Sequence, residues 1–89
     1  MLIRSQDKKS ITTDLNLEIF VNENKNEYVI GNITRGRLGT YSTEEKAIKV
    51  LDMIQNAYVN YHYSKWVGYE RETVIDCIFE MPQDDEVKA

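Results

Sequence analysis

Residues 42–62 admit one regular conformation. Ser42 and Glu45 stand in the Ser-x-x-Glu spacing of a capping box, in which each side chain satisfies the other residue's free backbone N–H. Glu44 and Glu45 also suit the positive end of a helix dipole. Beyond them Ala47, Leu51, Ile54, Tyr58 and Tyr61 recur at steps of four and three, which is one apolar helix face, widened by Ile48 and Val50. The pattern predicts a helix over roughly 43–62.

Most of the remaining chain reads as strand. Leu15, Leu17, Ile19 and Val21 alternate with Asn16, Glu18 and Phe20, so one side of that segment is apolar and faces a core. Asn22 to Asn26 is a turn by composition, and Tyr28 to Thr34 is the returning strand. Arg35-Gly36 is a second turn, where Gly36 takes a positive φ without steric cost. Leu38 to Tyr41 is a short strand feeding the helix. Ile75, Cys77, Phe79 and Met81 alternate along a last strand that Pro82 ends, having no N–H for a ladder. Met1 to Gln6 completes the set, with Ile3 inward. The order β-β-β-β-α-β predicts an α+β domain, a mainly antiparallel sheet with one amphipathic helix packed on it. The expected organisation is a single domain over 1–82 and an acidic flexible tail over 83–89.

Composition removes several functional classes. A chain of 89 residues, 42% hydrophobic, holds one core and no second domain. Its net charge of −4 disfavours duplex nucleic acid. One Cys and one His build neither an internal disulfide nor a His/Cys zinc site. No apolar run approaches the ~20 residues of a membrane span, and the first residues hold no signal-peptide core. A cytoplasmic protein without membrane contact is the expectation.

Three segments are distinctive together: Ile3-Arg4-Ser5-Gln6-Asp7-Lys8, Leu38-Gly39-Thr40-Tyr41-Ser42-Thr43-Glu44-Glu45-Lys46-Ala47, and Phe79-Glu80-Met81-Pro82. Through them the chain resembles a widespread family of small, mostly uncharacterised phage and prophage proteins of Gram-positive bacteria. The resemblance spans start, middle and end, and leaves about 60–73 as a variable insertion. It carries no catalytic residues. It implies an accessory protein acting in the infected host cell, of the kind that counters defence by stoichiometric binding. Such proteins bind a host protein or trap a nucleotide immune signal.

Candidate ligand residues follow from chemistry. Arg4, Ser5 and Gln6 combine a cationic fork with hydrogen-bonding neighbours, which suits an anion or a nucleotide edge. The plainer reading is an edge strand entering a charged turn. Arg35 and Arg37 flank Gly36 in what is either an anion-binding turn or a charged surface hairpin. Tyr58, Tyr61, Tyr63, Trp66 and Tyr69 crowd five aromatics into twelve residues. Tyr58 and Tyr61 continue the helix face. Tyr63 and Trp66 are placed beyond the helix, beside Arg71, as stacking surface, core or interface. His62 and Cys77 have no evident catalytic partner, and Asp84-Asp85-Glu86 lacks the geometry of a metal site.

The expectation is therefore a non-enzymatic binding protein with no cofactor, no catalytic residue and no metal. It is favoured as a sponge for a nucleotide-like small molecule, held by Arg4, Arg35 or Arg37 and exposed aromatics. The alternative is an inhibitor of a host defence protein, gripping it through acidic and aromatic groups such as Glu70 and Glu72. A homo-oligomer is expected, because so short a chain leaves much surface unburied.

Overall fold

A computed structural model of the chain describes residues 1–13, 16–32, 36–66 and 78–89, the side chains of 61–66 excepted. The elements are β1 (Leu2–Arg4), β2 (Ile11–Thr12), β3 (Glu18–Asn22), β4 (Glu27–Asn32), β5 (Gly36–Tyr41), α1 (Glu44–Trp66) and β6 (Ile78–Glu80), with a single 3-10 turn over Asp84–Glu86. The class is α+β, as the pattern predicts.

The strands divide into two sheets of three, ordered β2-β1-β6 and β3-β4-β5. The second is antiparallel throughout: Glu18 to Asn22 run against Gly31 to Glu27, and β4 against β5. The first is mixed. β1 is antiparallel to β2, but β6 returns after α1 to lie parallel to β1, with Ile3 opposite Phe79. Antiparallel pairing of neighbours in sequence is the natural expectation for short strands and tight turns. The helix between β5 and β6 is what permits a parallel neighbour instead.

The β3–β4 hairpin closes through residues 23–26, with Asn26 at φ 53°. Asn adopts that left-handed region more readily than most residues. Between Ile30 and Gly31 the β4–β5 register slips, and a Cβ on Gly31 would lie 2.8 Å from Arg37 Cα. Only glycine allows the two backbones so close. Gly36, the first residue of β5, sits at φ 100°, the positive φ expected of it from sequence.

The core lies between α1 and the inner faces of both sheets. Ile3, Ile30, Leu38, Tyr41, Ala47, Val50, Ile54 and Met81 form it, with Leu17, Ile19, Leu51 and Phe79 packed around them. The apolar helix face is correct for Ala47, Val50 and Ile54, whereas Ile48 points to solvent. Val21, expected on the core face of β3, is also exposed. α1 lies over β4 and β5 and leaves the end of the edge strand uncovered.

The helix start and the C-terminal segment both differ from the sequence reading. The helix is capped by Thr43, whose Oγ1 accepts a bond from the Lys46 amide at 3.1 Å. Ser42, one residue earlier, is engaged by Asp84: its amide donates to Oδ1 at 2.8 Å and its hydroxyl reaches both carboxylate oxygens at 3.1 Å. A long-range partner thus displaces Ser42 from the capping role. The second difference is the C-terminal segment, expected as a frayed tail over 83–89. Val87 is instead buried in the core, and Lys46 Nζ holds the Asp84 carbonyl at 3.0 Å. One apolar side chain with a pocket to fill outweighs the solvation of the acidic residues around it.

Candidate functional site

The residues proposed from sequence separate into three groups. Ser5 and Gln6 are used by the fold. Ser5 is buried, and its hydroxyl donates to Asp7 Oδ1 at 2.6 Å while accepting the Ser10 amide at 3.0 Å. These bonds hold the tight 5–10 turn, in which Lys8 adopts φ 70°. Gln6 Nε2 donates to the carbonyls of Thr40 and Pro82 at 3.1 and 3.0 Å, and Oε1 accepts the Thr40 amide at 3.0 Å. Its backbone N–H reaches the Leu38 carbonyl at 2.7 Å, and its carbonyl accepts from Gln83 Nε2 at 2.9 Å. These contacts join the two sheets, so neither side chain is held out toward a ligand.

Arg4 and Arg37 belong to different surfaces. Arg4 alternates with inward Ile3 and faces outward from β1, level with Ile11 on one side and Glu80 on the other. Lys8 Nζ also meets Glu80, at 2.6 Å. The Lys8 ammonium, with Arg4 adding a smaller attraction, holds the Glu80 carboxyl below its ordinary value. Arg37, the second residue of β5, lies at the seam between the sheets and approaches Glu27 at 3.7 Å. The two cations therefore do not converge as a single cluster.

Tyr63 and Trp66 fall on the last turns of α1, which continues to Trp66, rather than beyond a helix ending near 62. No Gly or Pro interrupts the chain before Gly68, and nothing in the covalent structure stops the helix earlier. Arg35 and Arg71 lie outside the described residues, as do Leu15, Thr34, Tyr69, Glu70, Glu72, Ile75 and Cys77.

What the structure assembles is a cleft at the seam. A depression of about 210 Å³ runs between β2 and the start of β5, with Ser10, Thr12, Asn32 and Arg37 as its polar walls and Ile11 and Leu17 as apolar ones. A second depression, of about 180 Å³, is bounded by Asp7, Arg37, Gly39 and Thr40. Arg37 is shared by both. The Ser5 hydroxyl, with the Lys9 amide, holds the Asp7 carboxyl below its ordinary value. Arg37 thus lines a depression walled by hydroxyl and amide groups, and a second that has the Asp7 carboxylate in its wall. That inventory recognises a polar, anionic small molecule with hydroxyl groups of its own. Ser10, Thr12 and Asn32 gave no signal in the sequence. They are isolated polar residues, and β2, two residues long, is too short to show alternation.

Among the described residues no group of three or more His, Cys, Asp or Glu is placed to hold a metal ion, and no helix is long and apolar enough to cross a membrane. No protein-family model, curated protein or solved structure matches the chain significantly.

Proposed function

We propose that the chain is a phage accessory protein that acts by stoichiometric binding, as a sponge for a nucleotide-like immune signal. The observation that carries this reading is Arg37, which lines two depressions at the sheet seam. Its guanidinium suits a phosphate, while the hydroxyl and amide walls of the larger depression suit a ribose. The volumes fit one such unit rather than a polymer. Of the candidates from sequence, Arg37 is the one this geometry supports best. The test is to expose the protein to a lysate of defence-activated cells, wash it, heat it, and identify released small molecules by mass spectrometry. A nucleotide released intact, and lost with Arg37→Ala, supports sequestration. A cleaved nucleotide would make the chain an enzyme.

A second reading is inhibition of a host protein, and a different surface favours it. Ile48 and Val59 are 46% and 55% exposed on one stripe of α1. Helical spacing sets Glu44, Glu45 and Asp52 beside that stripe. An apolar strip with an acidic border suits a basic protein surface. This reading predicts no released nucleotide and a host protein retained on the immobilised chain, with retention lost in Ile48→Lys.

A further inference from the structure

The strand edges of this fold are protected unequally. β2 is only two residues long, and short edges recruit strands poorly. β6 carries the Lys8–Glu80 ion pair and runs into Pro82. The outer edge of β5 is occupied by Gln6. β3 has none of these devices. Its five residues, Glu18 to Asn22, contain no Pro or Lys, pair with β4 without a bulge, and have no second neighbour among the described residues.

The direction of its unpaired groups follows from the register. Thr40 turns both backbone groups toward Gln6, so Val29 opposite it turns its own toward β3. Phe20, facing Val29, is thereby bonded to β4. Ile19 and Val21 then direct their N–H and C=O groups outward. Their side chains share the helix-side face, where Val21 is 52% exposed.

We propose that β3 pairs antiparallel with β3 of a second copy, across a two-fold axis at Phe20, to make one continuous six-stranded sheet. The sequence is self-complementary in this register. Ile19 stands opposite Val21 of the second copy, so the outward groups of both residues are satisfied. Both pairs are β-branched, which suits cross-strand packing. Glu18 stands opposite Asn22, so two chains of net charge −4 meet at this edge without opposing like charges. A register centred on Ile19 instead sets Glu18 against Phe20 and loses the polar pair. The exposed apolar surface of Val21 is covered by Ile19 of the other copy, and Leu17 extends the shared face. This inference does not rest on the ligand reading: the outward backbone groups of Ile19 and Val21 carry it, and neither residue lines the Arg37 cleft.

The test is light scattering of the full chain over a micromolar concentration series. The expected mass is twice the 10.4 kDa of the chain. Val21→Lys should return it to the single-chain mass with the folded circular dichroism spectrum retained, because that side chain is exposed in one copy. A covalent test avoids dependence on that variant. In a Cys77→Ser background, Phe20→Cys should oxidise to a disulfide-linked dimer, since facing residues of a non-hydrogen-bonded pair lie about 4.5 Å apart at Cα. Asn24→Cys, in the hairpin turn, should not. A single-chain mass at every concentration would overturn the proposal and leave the edge to a strand of another protein. A dimer that persists in Val21→Lys while Phe20→Cys fails to cross-link would overturn it equally, by placing the interface elsewhere.

Discussion

Gln6 and Thr40 are paired twice, side-chain amide against main chain. Gln6 Nε2 donates to the Thr40 carbonyl at 3.1 Å, and Gln6 Oε1 accepts the Thr40 amide at 3.0 Å. The side chain thus supplies β5 with the donor and acceptor that a neighbouring strand residue would have supplied. Its second N–H, on the Pro82 carbonyl, draws the end of β6 into the same junction. Gln6→Ala would leave the Thr40 main chain without these partners, and water would replace them only in part. The variant should lose roughly 1–3 kcal/mol of stability in urea unfolding. Gln6→Glu should be no better, since a carboxylate has no N–H for either carbonyl. A Gln6→Ala protein with the parent midpoint would show that the junction contributes nothing.

The helix cap gives a direct contrast between adjacent residues. Thr43→Ala removes the Oγ1 acceptor of the Lys46 amide and should cost ~0.5–2 kcal/mol. Ser42→Ala keeps the amide bond to Asp84 and loses only an exposed hydroxyl contact, so it should cost less. Denaturant midpoints of the two variants rank them. The reverse ranking would restore Ser42 as the cap.

How far the sequence carries is visible at that same site. Periodicity placed the helix and its buried face because an apolar stripe is a local property of consecutive turns. Alternation points to β3 and β6 for the same reason, while β1, β4 and β5 are legible as short apolar segments beside turns and the helix start. The cap shifted by one residue because Asp84, 42 positions away, competes for Ser42. Gln6 resembled a ligand residue because its amide is polar and near a charged run. Nothing local distinguishes an amide that meets a ligand from one that meets Thr40. Of the cleft, Arg37 was legible as a cation beside a flexible Gly, while its polar neighbours come from two strands far apart in sequence, Ser10 and Thr12 at β2 and Asn32 at the end of β4.

Acid should loosen the C-terminal segment. The Ser42 amide first, then the Ser42 hydroxyl and Lys46, hold the Asp84 carboxyl below its ordinary value of 3.8 against a smaller opposing effect of burial. A carboxyl with a lowered folded pKa contributes stability above its unfolded pKa and loses it as pH falls through the folded one. Asp7 and Glu80 shift in the same direction, through Ser5 and Lys8. Thermal melts should therefore fall as pH drops below about 3.8. Asp84→Asn should be less stable at neutral pH and show a shallower acid decline. Parallel pH profiles for the two proteins would remove Asp84 from this account.

Arg37 separates binding from folding. Its side chain is half exposed, and its contact with Glu27 is long at 3.7 Å. An exposed pair of this kind contributes about 0–1 kcal/mol. Arg37→Ala should therefore melt close to the parent while its affinity for a phosphate-bearing nucleotide falls at least tenfold by calorimetry. Binding by the parent should weaken as salt rises. Affinity untouched by the substitution would move the ligand away from the seam.

The parallel alignment of β1 with β6 has a kinetic consequence. Leu2 to Arg4 find their partners at Ile78 to Glu80, and Gln6 is 76 positions from Pro82, which it bonds. The β3-β4-β5 hairpins close over short stretches and can assemble early, whereas the other sheet requires a ring closure of almost the whole chain. Such a closure incurs its entropic cost before any contact returns it. On a translating ribosome β1 therefore emerges well before β6 and stays unpaired on that side until Ile78 to Glu80 follow. Until then Ile3, fully buried in the finished fold, stays open to a chaperone.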